Sequence, residues 1–142
     1  MSTWILVANS STARIYSQDR QGGALKAVHQ FEHPESRSKG SELVSDRPGH
    51  YQGAGDGHGS YVQAMDPKEV ESERFARELS GALDDGRNKK EFEKLVIVAP
   101  PHFHGLLNKS LDHQVQKLIV GSVEKDYTHE DERALLAHLQ LN

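Results

Sequence analysis

The segment between positions 32 and 65 gathers several residues able to do chemistry beside a glycine-rich run. Gly53-Ala54-Gly55-Asp56-Gly57-His58-Gly59 is a run whose backbone amides could cradle a phosphate. A dinucleotide fingerprint, however, follows a strand directly and opens a helix, and neither G-x-G-x-x-G nor a Walker loop is spelled here. His50, Asp56 and His58 are zinc-ligand types, as are the two imidazoles of His102-x-His104. Neither group completes a ligand set at a zinc-site spacing, so no metal and no other cofactor is expected. Ser60, in Gly59-Ser60-Tyr61, lacks both the G-x-S-x-G frame of a nucleophile elbow and an assignable base. What remains is a candidate binding segment with Arg37, Lys39, Arg47, His50, Gln52, Gly53, Gly55 and His58 as its contact residues. Outside it, Arg87, Lys89 and Lys90 form a basic patch able to meet phosphate, at a place where a helix end attracts cations anyway. His113, His129 and His138 read as surface residues on helices or their edges.

The elements that must position these residues follow from the hydrophobic pattern. Trp4–Ala8 is a continuous apolar run and suits a strand buried on both faces. Asn9-Ser10-Ser11 is turn chemistry, and Ala13–Ser17 then alternates as a second strand. A polar turn at Asp19–Gly23 leads into a third strand, Leu25–Phe31, which completes an antiparallel meander. Residues 32–65 hold half of the glycines and no apolar period, so they read as a long loop, a kind that in a compact domain is either functional or disordered.

Asp66 as cap and Pro67 at the first helical position start a helix. Its apolar stripe is Val70, Phe75, Ala76, Leu79, Ala82 and Leu83, and Gly86 is its expected stop. Leu95–Ala99 is a second continuous apolar strand, ended by Pro100-Pro101. A short helix over His102–Ser110 follows, then a fifth strand from Val115 and Leu118–Val120. Thr128-His129-Glu130-Asp131 has the form of a capping box ahead of a last helix through Leu141.

The order is β-β-β-α-β-α-β-α. A right-handed crossover from the third strand places the fourth beside the first, giving the strand order 3-2-1-4-5. The fold class is therefore α/β, a ribonuclease-H-like mixed sheet with helices packed on it. A two-metal nuclease on that sheet needs carboxylates converging from the central strands. The first strand ends at Asn9 and the fourth at Ala99-Pro100, while Asp84, Asp85 and Glu93 lie outside the strands. That chemistry is not available.

The chain has 142 residues, enough for one domain over 1–142 with a real core. No cysteine is present, which removes disulfides, thiolate metal sites and a cysteine nucleophile and fits a reducing cytosol. The net charge of −4 argues against bulk electrostatic coating of nucleic acid. No signal-peptide core and no bilayer-length apolar stretch are visible, so a cytoplasmic protein without a membrane partner is expected.

Several pieces together resemble a known family. They are Trp4–Asn9 with Ala13-Arg14-Ile15, Ser45-Asp46-Arg47-Pro48-Gly49, Glu73–Leu79, Leu95–Pro101 and Glu124-Lys125-Asp126-Tyr127-Thr128. In that order they resemble the bacterial host attachment family, whose proteins are described as required for attachment to host cells. That family is similar to the middle domain of archaeal and eukaryotic peptide-chain release factors and of Pelota. The resemblance implies the same mixed sheet. It also implies that the 32–65 loop stands where release factors carry the Gly-Gly-Gln tip that enters the ribosome. Here Gln52-Gly53 is followed by Ala54-Gly55, so the tip motif is absent in its order. Arg37, Lys39 and Arg47 are offset by Glu35, Glu42, Asp46 and Asp56.

Three readings stand open at this level. One is a non-enzymatic module associating with RNA or the ribosome through the loop. Another is a factor in attachment or stress physiology whose loop orders on a protein partner. The third is a hydrolase in which Gln52, His50 or His58 positions water. The residues favour the non-enzymatic readings, and the pattern fixes no oligomeric state.

Overall fold

A computed structural model describes residues 2–20, 22–33 and 66–140. The elements are β1 (Thr3–Ala8), β2 (Thr12–Gln18), β3 (Lys26–Glu32), α1 (Pro67–Asn88), β4 (Lys94–Val98), α2 (Pro101–Ser110), a one-turn α3 (His113–Gln116), β5 (Ile119–Val123) and α4 (Glu132–Gln140). The five strands form one sheet in the order β3-β2-β1-β4-β5. β1 is antiparallel to β2 and β2 to β3, whereas β4 runs parallel to β1 and β5 parallel to β4. This is the expected mixed α/β sheet.

The central strands are buried on both faces, which is why they read as unbroken apolar runs. On one face Trp4, Leu6, Ile15, Leu95 and Ile97 pack with Phe75, Leu79 and Leu83 of α1, Phe103 and Leu107 of α2, and Val115. On the other, Ile5, Val7, Tyr16 and Val98 meet Leu135 of α4, with Leu136, Leu139 and Tyr127 around it. Among the described residues three helices cover one face and one nine-residue helix the other. The edge strands are interrupted. β3 shifts register against β2 between Ile15 and Tyr16, and β5 shifts against β4 between Leu95 and Val96, leaving Val120 as an unpaired bulge residue that is 61% exposed.

Three local expectations change. Gly86 does not end α1, which runs to Asn88. Glu91 N donates to Gly86 O and Lys90 N to Arg87 O, the paired bonds of a Schellman stop, with Lys90 taking the left-handed backbone (φ 61°) that glycine usually occupies. Gly86 instead lets the helix approach the indole. A Cβ there would lie 2.6 Å from Trp4 Cη2, 2.7 Å from Cζ3 and 3.3 Å from Phe92 Cε1. Val115 belongs to α3, capped by Asp112, and the strand begins at Ile119. Thr128 is buried and does not cap α4; Asp131 Oδ1 accepts from Ala134 N at 2.8 Å and performs that role. The start of α1 is as expected: Asp66 Oδ1 accepts from Lys68 N at 3.0 Å, and Pro67 opens the helix. Of the expected 32–65 loop, Glu32 belongs to β3 and residues 34–65 lie outside the described residues.

Candidate functional site

Because β1, β3, β4 and β5 point the same way, their carboxyl ends, Ala8, Glu32, Val98 and Val123, share one edge of the sheet. In open α/β sheets this is the edge outside which ligands bind. α1 and α2 start there.

Asn9 sits at the end of β1 and uses every polar atom of its side chain. Its Oδ1 accepts from Ser11 N (2.8 Å) and Thr12 N (3.0 Å), closing the β1–β2 turn. Its Nδ2 donates to Asp126 Oδ2 and to Thr128 Oγ1, both at 3.1 Å. Thr128 returns two bonds to Asp126 Oδ1, from Oγ1 at 2.6 Å and from its backbone N at 2.9 Å. Partial burial alone would raise the Asp126 carboxyl. The bonds from Thr128 and Asn9, with the nearby His129, outweigh burial and hold it below the ordinary carboxylate value. Arg14 of β2 extends the network, donating to the carbonyls of Thr128 and Glu130 while lying over the Tyr16 ring. A nuclease would need converging carboxylates at this position. Among the described residues the Asn9 network holds an amide and a single acid, and no group of three His, Asp or Glu able to hold a metal occurs.

A second cluster lies where β3 ends. His33 N donates to Ser11 O at 2.7 Å, so β3 is tied to the β1–β2 turn. The His33 ring stacks on Phe75 of α1, with centroids 5.2 Å apart, and its Nε2 lies 2.9 Å from Glu71 Oε1. Arg74 Nη1 donates to the other Glu71 oxygen at 3.1 Å. Beside it, His102 at the start of α2 lies 2.8 Å from Glu69. His33 at the end of β3 and the first turns of α1 after Asp66 therefore lie together, a neck between β3 and α1. Glu71 is only five residues beyond Asp66, about 8 Å along a helix.

The histidines of His102-x-His104 part ways. His102 is exposed on Glu69, while His104 is buried, accepts from Asn108 Nδ2 at 3.2 Å on Nδ1, and has no hydrogen-bond partner for Nε2 among the described residues. His113 and His129 are exposed, and His138 stacks on Tyr127 at 4.3 Å. The basic patch lies at the far end of α1, across the 22-residue helix from the neck. Arg87 is held by Asp84 (2.9 Å), and Lys89 by Asp85 (3.1 Å), a hydrogen bond that also raises the Lys89 pKa. Arg37, Lys39, Arg47, His50, Gln52, Gly53, Gly55 and His58 lie outside the described residues. His33 and the Asn9–Asp126–Thr128 network are not singled out by sequence reasoning. The one signal for Asn9 is its place at the end of a central strand.

Over residues 4–139 the sequence matches the family described as "Protein required for attachment to host cells". The chain belongs to that family. No curated protein matches it. A solved structure described as "Archaeal protein" is similar over 96% of this chain, with a TM-score of 0.45 and 13% identity, and the chain spans 35% of that protein's length. Among the described residues no helix is long and apolar enough to cross a membrane.

Proposed function

We propose that this member of the host attachment family is a binding module without catalytic chemistry of its own, that residues 34–65 are its contact element, and that the partner is a protein. The observation that carries this reading is the neck: both ends of the segment are fastened to the same short stretch of α1, His33 through Glu71 and Phe75, and Asp66 through its cap.

Charge chooses between partners. Glu32, Asp66, Glu69, Glu71 and Glu78 stand at or beside the neck against Lys68 and Arg74. The segment itself sets Glu35, Glu42, Asp46 and Asp56 against Arg37, Lys39 and Arg47. A surface docking among RNA phosphates gains its affinity from cations, and an excess of carboxylates repels phosphates. The similarity to release-factor middle domains would favour the ribosome, and the acidic neck weighs against it.

The test compares the whole chain with a variant in which residues 36–63 are replaced by a short Gly/Ser linker. Reciprocal pull-downs in cytosol at low and at 0.5 M salt, with a purified candidate then titrated directly, should give a protein partner that survives high salt and needs the segment. Co-sedimentation with ribosomes that depends on the segment and disappears with salt would overturn the protein-partner reading in favour of RNA.

A further inference from the structure

We draw no further inference here: the strongest candidate, a shallow hollow of about 200 Å³ between α1 and α2 lined by Glu73, Arg77, Leu106, Lys109 and Ser110, mixes a carboxylate with its two cations, and nothing in the structure shows what covers it.

Discussion

Replacing Gly86 by alanine sets two opposing effects against each other inside one helix. Alanine in a helix interior is favoured over glycine by about 1 kcal/mol. Against that, the new Cβ would stand 2.6 and 2.7 Å from two indole carbons of Trp4 and 3.3 Å from Phe92. Comfortable carbon–carbon separation is about 3.5–4.0 Å, so the rings must retreat by about 1 Å. They have little freedom to do so: Trp4 is 3% exposed, stacks on Phe92 at 4.7 Å, and meets His29 edge-on at 5.5 Å. Overpacking of this kind costs about 1–3 kcal/mol, and rigid stacked rings place it in the upper half. The net expectation is a loss of about 1–2 kcal/mol, or roughly 3–8 °C in Tm for a chain of this size. Gly81, exposed in the same helix with nothing within 4 Å of a built Cβ, is the internal control, and Gly81→Ala should gain about 1 kcal/mol. Urea unfolding followed by far-UV circular dichroism measures both. Trp4→Phe removes the ring atoms in the way, so Gly86→Ala made in that background should lose most of its penalty. If Gly86→Ala stabilises as Gly81→Ala does, or if its cost is the same with Phe at position 4, the account of α1 docking is wrong.

Other expectations follow from single contacts. Lys90→Gly should add about 0.5–1 kcal/mol by releasing the left-handed backbone at the α1 stop, read from the urea midpoint. Because the Asp126 carboxyl lies below its ordinary value of 3.8 in the folded chain, its stabilisation is complete above that value and is lost as pH falls through the folded pKa. Asp126→Asn should therefore destabilise the protein at pH 7 and lose that effect in acid; a stability difference that is flat from pH 7 to 2.5 would contradict the network. His104→Leu removes a buried nitrogen with no partner and frees the exposed Asn108 to solvent, so thermal stability should be unchanged or rise by about 1 kcal/mol. A loss greater than that would mean Nε2 is satisfied.

What the sequence made legible is what local chemistry controls. β1 and β4 were readable because a strand buried on both faces leaves an unbroken apolar run, and the order 3-2-1-4-5 followed from the handedness of one crossover. Asp66-Pro67 was readable as a helix start because cap and helix lie side by side in the chain. The failures share a cause. Gly86 sits near a helix end and so resembles a stop, yet its role is set by Trp4, which reaches it only through the fold. Thr128 fits a capping box locally, but Asn9, 119 residues away, claims its hydroxyl. His33 escaped notice because its partner Glu71 stands 38 residues further on. The family resemblance gave the fold and the family, while charge around the neck, visible only once β3 and α1 are brought together, altered the choice of partner.

The pairing of β1 with β4 also bears on how the chain is made. Residues 3–32 can close their meander as soon as they leave the ribosome, but the other side of β1 and the cover for Leu6 and Ile15 arrive only with α1 and β4, which ends at Val98. At ordinary synthesis rates that interval is roughly 3–13 s, during which a two-sided apolar sheet has one open flank. Nascent-chain chaperones should therefore bind most strongly while between about 35 and 100 residues have emerged from the ribosome, and release the chain once β4 has docked.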